Sequence, residues 1–252
     1  MKKKLSMLIA VIIIITAIST GCSGGNPAIN VYNWGDYIDP QVLDMFEDEF
    51  GVKVVYDTYA TNEDLYIKLK QGGSSYDVVF PSDYMIERMI KEGLLAKIDM
   101  NNIDQLSNVD SKFLSLDYDP EIAYSVPYMW GTVGIIYNKS MVSRPLTSWS
   151  DLWSEEFEGQ IIMLNSQRDT LAVALKKLGY SMNTRNISEL EEARDELIAQ
   201  KPLVYAYLGD EVKGVITGGE AAIAVVWSGD AVVMMQENED LEYVLPSEGT
   251  NL

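Results

Sequence analysis

Strand-like and helix-like segments alternate over residues 29–93, and this alternation admits few folds. Residues 29–33 are β-branched and aromatic, which is typical of a strand. Asp39 and Pro40 then supply the capping residue and the first position of a helix, and Gly51 supplies its end. Two more pairs of strand and helix follow before residue 93, with the third strand over residues 76–81. This β-α-β-α-β-α order predicts an open, largely parallel sheet that is covered by helices.

A second α/β set follows a looser stretch that is rich in Asn and Asp. The apolar run over residues 125–138 predicts a strand that enters a new sheet, and strand and helix patterns recur from there to residue 245. We therefore expect an α/β chain of two lobes, each built on an open mixed sheet. The first lobe is expected over residues 29–130 and the second over residues 131–252.

The N-terminus has the pattern of a signal peptide. A short basic segment precedes an apolar run over residues 7–15, which is shorter than the about 20 residues that a membrane-spanning helix needs. Small residues then precede Cys22, as in a bacterial lipobox, although Ser19 stands where that motif usually has Leu. We expect a signal peptide over residues 1–21, a lipid on Cys22 and a flexible tether over residues 22–28. The alternative is a plain secretory signal with an incidental Cys.

Composition argues against catalysis and against several partners. The chain has a single Cys and no His, so an internal disulfide, a multi-thiolate metal site and the usual activation of Ser or Cys by His are excluded. We expect no enzyme, no catalytic residues, no cofactor and no metal site. The formal net charge of −19 repels nucleic acid and anionic lipid and attracts cations. Solubility alone also explains such acidity.

Aromatic and acidic side chains follow four of the predicted strands. Ligands of open α/β sheets bind at the carboxyl ends of the strands, and aromatic faces attract an ammonium group by roughly 0.5–2 kcal/mol when desolvated. Carboxylates pair with the same groups, whereas Arg168 is the only cation at these strand ends. Core packing or helix capping explains each residue singly, but their joint placement predicts a site for an organic cation. The candidates are Trp34, Asp36, Tyr37, Ser82, Asp83, Tyr84, Ser166, Asp169 and Trp227.

Several segments resemble the spermidine/putrescine-binding proteins of bacterial ABC transporters. The matching segments are residues 32–37, 76–84, 125–131, 149–153 and 177–180. The resemblance implies a two-lobed periplasmic-binding-protein fold, with the ligand cleft between the lobes. It also implies a monomer that captures a polyamine outside the cytoplasm, is tethered to the membrane through Cys22, and delivers its ligand to an ABC permease.

The resemblance also assigns roles to individual positions. It makes Trp34 and Trp227 aromatic walls in the two lobes, and Asp169 the acidic residue that holds an amino group. Tyr37, Ser82 and Tyr84 correspond to further contacts in the first lobe. Two positions depart from the family pattern. Ser166 stands where some members have a second carboxylate and Gly35 where some have a hydroxyl residue, so Asp36 and Asp230 are candidates to compensate.

The resemblance leaves two points open. Chains of this family continue well beyond the position of Gly249, so we expect the first lobe to lack a returning segment and the second lobe to be incomplete. A binder of another cationic solute or of a metal ion is the main alternative, because Tyr and carboxylate oxygens also suit hard metal ions. A carboxylate-based hydrolase or an adhesin is a third hypothesis, and no motif in the sequence favours it.

Overall fold

The computed structural model describes residues 27–72 and 75–251, where the chain forms two β-sheets with separate apolar cores. We call the part built on the first sheet the first lobe and the part built on the second sheet the second lobe. The predicted signal peptide and Cys22 lie outside the described residues. No helix within the described ranges combines the length and apolar character that crossing a membrane requires.

The first sheet has three parallel strands with β1 at its centre. Its strand order is β2-β1-β3. Asp39 caps the first helix by accepting from the backbone N–H of Gln41, and Gly51 ends that helix with a φ of 65°, which favours glycine. Both roles confirm the sequence prediction. The elements are β1 (Ala28–Trp34), α1 (Pro40–Phe50), β2 (Lys53–Tyr59), α2 (Asn62–Lys70), β3 (Val78–Val79) and α3 (Asp83–Lys91).

The core of the first lobe lies between this sheet and helices α2 and α3. Its fully buried side chains are Leu65 of α2 and Met85 and Met89 of α3, which pack with Tyr32 and Tyr59 of the strands. The 85/89 spacing places both methionines on one face of α3. This packing fixes the starts of α2 and α3 beside the carboxyl ends of β1 and β3.

The connection between the lobes contains three short 3₁₀ helices, at Met100–Asn102, Asp104–Asn108 and Ser111–Phe113. Asp119 organises the segment that follows. Its buried carboxylate accepts hydrogen bonds from the backbone N–H groups of residues 123, 124 and 125 and from the Ser125 hydroxyl, at 2.9–3.0 Å. These bonds hold the pKa of Asp119 below its usual range, although burial alone would raise it.

The second sheet has five strands and is mixed. Its order is β6-β5-β7-β4-β8, with β5 parallel to β6 and β7, and β4 antiparallel to β7 and β8. Apolar clusters cover both faces of the sheet, which confirms the predicted two-lobed α/β fold. The elements are β4 (Val133–Asn138), β5 (Ile161–Leu164), α4 (Gln167–Lys177), α5 (Ile187–Gln200), β6 (Val204–Leu208), α6 (Val212–Thr217), β7 (Ile223–Trp227), α7 (Ser228–Glu237) and β8 (Leu241–Val244).

A candidate ligand site at the strand ends

Trp34 lies at the carboxyl end of β1, and the core of the first lobe fixes its ring. The indole Nε1–H donates to the Phe80 carbonyl oxygen at 2.9 Å. The ring centroid of Trp34 lies 4.6 Å from that of Tyr59 and 6.0 Å from that of Tyr37. The side chain is only half-buried. One edge of Trp34 therefore belongs to the core, and the remainder is available as an apolar wall.

Tyr37 lies in the turn after β1 and faces acidic residues of the second lobe. Burial raises the pKa of its hydroxyl, and the negative charges of Asp230 and Asp210 raise it further. The backbone carbonyl of Tyr37 accepts a hydrogen bond from the Tyr128 hydroxyl in the connection. Tyr37 therefore remains protonated and can donate a hydrogen bond within an acidic environment.

Ser82 begins α3, and the buried side chain of Asn62 holds it in place. The Ser82 backbone N–H donates to Asn62 Oδ1, and Asn62 Nδ2 donates to Ser82 Oγ, both at 3.0 Å. This pair joins the start of α2 to the start of α3. Asp83 follows in the first helical turn, where it is exposed and accepts from the backbone N–H of Tyr84 at 2.6 Å.

Tyr84 of α3 contacts Arg168 of α4, and this contact joins the two lobes. The guanidinium carbon of Arg168, in the second lobe, lies 5.1 Å from the centroid of its ring, within the range of a cation–π contact. The Tyr84 hydroxyl lies 3.4 Å from Glu63 Oε1 and donates to it. Burial raises the pKa of this hydroxyl, with a further rise from the charge of Glu63. The ring therefore lies at a point where the lobes meet.

Ser166 and Asp169 form one unit at the start of α4. The Ser166 hydroxyl accepts from the Asp169 backbone N–H at 3.4 Å and donates to Asp169 Oδ2 at 2.7 Å. Burial raises the pKa of Asp169, and the charges of Asp83 and Glu63 from the first lobe add to the rise. The hydrogen bond from Ser166 and the charge of Arg168 oppose it without cancelling it. The positive charge around Asp169 therefore does not fully compensate its ionised carboxylate.

Asp36 has a charged partner within the chain itself. Its Oδ2 lies 2.9 Å from Lys213 Nζ, which also lies 3.2 Å from Asp210 Oδ1 and 3.4 Å from Asp230 Oδ1. Burial alone would lower the pKa of Lys213. The hydrogen bond to Asp36 and the charges of Asp230 and Asp210 outweigh burial and raise the pKa, which keeps the ammonium charged. We call these four residues the Lys213 cluster.

Sequence analysis missed Lys213 and Asp210 because it missed the elements that carry them. Asp210 follows β6 by two residues, and Lys213 is in α6. The run of apolar and aromatic residues over Val204–Leu208, bounded by Pro202 and Gly209, is the signal that could have identified β6. Applied to β6, the rule that ligand residues follow strand ends would have identified Asp210.

Trp227 ends β7 and packs against the core of the second lobe. It pairs with Val133 across the antiparallel β4–β7 ladder, and its side chain is half-buried. The next residue is anchored to β4 as well, because Ser228 donates its backbone N–H to the Thr132 carbonyl oxygen at 2.8 Å. Trp227 therefore has the same arrangement as Trp34, with one part in the core and one part at a strand end.

The structure brings four of the nine predicted residues into two groups where the lobes meet, and Trp34, Ser82, Asp83 and Trp227 belong to neither group. Tyr84, Ser166 and Asp169 form the first with Arg168 and Glu63, and Asp36 joins Asp230 in the Lys213 cluster. Tyr37 lies within reach of charges from both groups, since Asp169, Asp210 and Asp230 all raise its pKa. Among the described residues, no cluster of three or more His, Cys, Asp and Glu has the geometry to hold a metal ion. In the two groups, carboxylates outnumber the cationic side chains. This excess of negative charge favours a cationic ligand.

Comparisons with known proteins agree with this chemistry. A family model described as bacterial extracellular solute-binding protein matches residues 41–252. The spermidine/putrescine-binding periplasmic protein of Salmonella typhimurium is 38% identical over 251 residues, which are 99% of this chain and 72% of that protein. The substrate-binding protein PotD of a Streptococcus pneumoniae spermidine/putrescine ABC transporter is 42% identical, with a TM-score of 0.72 over 89% of this chain and 70% of that one. The TpPotD lipoprotein of Treponema pallidum is 30% identical, with a TM-score of 0.81 over 88% and 71%.

Proposed function

The chain belongs to the bacterial extracellular solute-binding protein family, and on that premise we propose that it captures a polyamine and delivers it to an ABC permease. The ligand is spermidine or putrescine, which the named relatives bind or transport. Proteins of this family bind substrates for transport and are not enzymes. The proposed location is extracytoplasmic, in keeping with the periplasmic relatives, with Cys22 as the lipid anchor.

The environment of Asp169 is the observation that carries the proposal. Its ionised form is disfavoured by burial and by the charges of Asp83 and Glu63, and the nearest cation, Arg168, lies over the ring of Tyr84. An ammonium group placed against Asp169 supplies the missing positive charge and forms charge-assisted hydrogen bonds. A neutral or anionic ligand cannot do this, so the site selects a cation.

The aromatic residues account for the rest of a polyamine. Half-buried rings beside the carboxylates cover the methylene chain and attract the ammonium groups by roughly 0.5–2 kcal/mol each. Trp34, Tyr37 and Tyr84 lie on the first lobe and Trp227 on the second. The proposed ligand-binding residues are Trp34, Asp36, Tyr37, Ser82, Asp83, Tyr84, Ser166, Asp169 and Trp227.

We also propose that the two lobes are the domains that close on the ligand. Their proposed bounds are residues 29–130 and 131–252, with the cleft between them. Support comes from the separate cores of the two sheets and from the contact between Tyr84 and Arg168, which joins the lobes beside Asp169. Such closure is typical of hinged binding proteins.

Calorimetric titration of the purified protein with putrescine and spermidine tests the proposed function. We expect saturable binding tighter than millimolar, and we expect Asp169→Asn to weaken it by about 2 kcal/mol or more, because a ligand ammonium would lose its buried counter-ion. Asp195→Asn is the matched control. Asp195 is an exposed Asp on α5 that pairs with Arg194, so this variant should bind like the original protein.

Two results would overturn the proposal. Millimolar or weaker binding of both polyamines would exclude them as ligands. Equal affinity of the Asp169→Asn variant and the original protein would remove Asp169 from the site. Binding of another cationic solute or of a metal ion that polyamines do not displace would favour the alternative within the same fold.

A further inference from the structure

The Lys213 cluster crosses from one lobe to the other. Lys213, Asp210 and Asp230 belong to the second lobe, and Asp36 follows β1 in the first. The distance from Lys213 Nζ to Asp36 Oδ2, at 2.9 Å, is the shortest of the three ion-pair distances. The ammonium group therefore makes a direct ionic contact between the lobes.

Residues of the second lobe hold the Lys213 ammonium group in the position where Asp36 of the first lobe contacts it. Only 20% of the Lys213 side chain and 13% of the Asp230 side chain are exposed, whereas 62% of the Asp36 side chain is exposed. Asp210 and Asp230 fix Lys213 from within its own lobe, so little side-chain freedom is lost when Asp36 arrives. Asp36 is the partner that Lys213 loses when the lobes separate, because only this one of the three ion pairs of Lys213 crosses from one lobe to the other.

Gly35 gives independent evidence of close approach at this point. A Cβ atom on Gly35 would lie 2.8 Å from Asp210 Oδ2, which is closer than real side chains come. The backbone of the first lobe thus passes directly over a carboxylate of the second lobe. The absence of a side chain at position 35 leaves the Asp210 carboxylate free to stay on Lys213.

We propose that Lys213 is an ionic latch that holds the two lobes together through Asp36, and that it is a positioning residue for ligand capture. If Lys213 carried no charge, the Asp36 carboxylate would face the carboxylates of Asp210 and Asp230 across the lobes. These like charges would repel one another. Removing Lys213 should therefore open the lobes more than removing Asp36. Only the part of this proposal that concerns the ligand rests on the proposed function.

The distance between the lobes in the ligand-free protein tests the latch directly. Spin labels on cysteines introduced at the exposed positions Glu49 and Glu191, in a Cys22→Ser background, report this distance by electron–electron double resonance. We expect Lys213→Met to give a longer and broader distance distribution, Asp36→Asn a smaller change in the same direction, and Lys213→Arg little change. Lys139→Met, at an exposed lysine, is the control and should leave the distance unaltered.

A salt titration of the protein with Lys213 intact gives a second measurement that needs no substitution at the latch. Raising the ionic strength from about 0.01 M to 1 M shortens the Debye length from about 30 Å to 3 Å, so the distance should lengthen with salt. In Lys213→Met, salt instead screens the repulsion among the three carboxylates, so the distance should not lengthen with salt. A distance that neither salt nor Lys213→Met changes would overturn the latch.

Affinity distinguishes a latch from a residue that competes with the ligand. We expect Lys213→Met to weaken putrescine and spermidine binding by the same factor, about two- to fivefold as for a partly exposed ion pair, chiefly through faster dissociation. Tighter binding of spermidine with an unchanged interlobe distance would instead mean that Lys213 occupies the place of a ligand ammonium, and would overturn the proposal. A longer distance in a protein that binds neither polyamine would refute the proposed function and leave the latch intact.

Discussion

At the scale of single residues, the carboxylate of Asp169, our proposed counter-ion for the ligand, affects the stability of the free protein. Its pKa in the folded protein is raised, mainly by burial, above the value of about 3.9 that an unfolded Asp has. The folded state therefore binds the Asp169 proton more tightly than the unfolded state does. The free energy of unfolding falls as pH rises from the unfolded pKa through the folded pKa, and the loss is complete above the folded pKa.

We accordingly predict that Asp169→Asn stabilises the ligand-free protein at pH 7 while it weakens polyamine binding. The amide keeps an acceptor for the Ser166 hydroxyl and removes the buried charge. Urea unfolding measured between pH 3 and pH 7 should show the variant and the original protein converging at the acid end, where Asp169 is protonated in both states. Lower stability of the variant at pH 7 would contradict this explanation. The exposed control Asp195→Asn should stay within about 0.5 kcal/mol.

The sequence predicted individual site residues wherever a strand end was visible. Trp34, Tyr84 and Asp169 could be named as candidates because each lies at a strand end or at the start of a helix whose pattern is clear. The partnership of Asp36 with Lys213 could not be predicted, because it joins residues 177 positions apart. It also depends on the packing of α6, a six-residue helix with Gly214 inside it. Intrinsic helix propensity favours such a segment poorly.

At the scale of helices and strands, strand edges and caps account for the differences from prediction. The strand predicted over residues 76–81 is assigned only at Val78–Val79, yet backbone bonds from Asp77 N to Asn30 O and from Phe80 N to Tyr32 O continue the ladder on both sides. Strand β6, which was missed, lies at the sheet edge, where Tyr205 and Tyr207 are exposed. Its sequence, Val-Tyr-Ala-Tyr-Leu, is nevertheless a continuous apolar and aromatic run like those of β5 and β7, so the strand itself was predictable.

Asn62 shows how one side chain sets the relative position of two helices. Thr61 caps α2 by accepting from the Asp64 backbone N–H. Asn62 is the first residue of the helix, is buried, and bonds instead to Ser82 at the start of α3. A buried amide is held in such a position by tertiary partners, which local sequence does not reveal.

We predict that Asn62→Ala destabilises the protein by about 2 kcal/mol, since two partly buried hydrogen bonds are lost. Polyamine affinity should also fall several-fold, because Ser82 and Tyr84 lose the support that orients the first turn of α3. Urea unfolding and calorimetry check the two effects separately. Asn101→Ala is the control. Its amide bonds only to Asp99 at the surface, and this variant should leave both quantities nearly unchanged.

At the scale of the whole molecule, the proposed lipid anchor on Cys22 would fix where the protein works. We predict that Cys22→Ser moves the protein from the membrane fraction to the soluble fraction of the cell, because it removes the proposed site of lipid attachment. Fractionation and intact mass measure the change. Ser19→Leu, which restores the usual lipobox residue, should keep the protein in the membrane fraction. If the intact mass of the original protein includes no lipid, this result would favour a plain secretory signal.

The latch and the ligand act on the same equilibrium between open and closed lobes, and this yields a prediction about their combination. A ligand that prefers the closed form can change the average distance only through the fraction of molecules that are open without it. Putrescine should therefore shorten the interlobe distance by a smaller amount in the original protein, in which Lys213 and Asp36 favour the closed form. It should shorten the distance much more in Lys213→Met, which starts from an open population. Part of the binding energy then goes into closing the lobes, which is why this variant binds more weakly. The same small shortening in both proteins would mean that Lys213 does not bias the equilibrium.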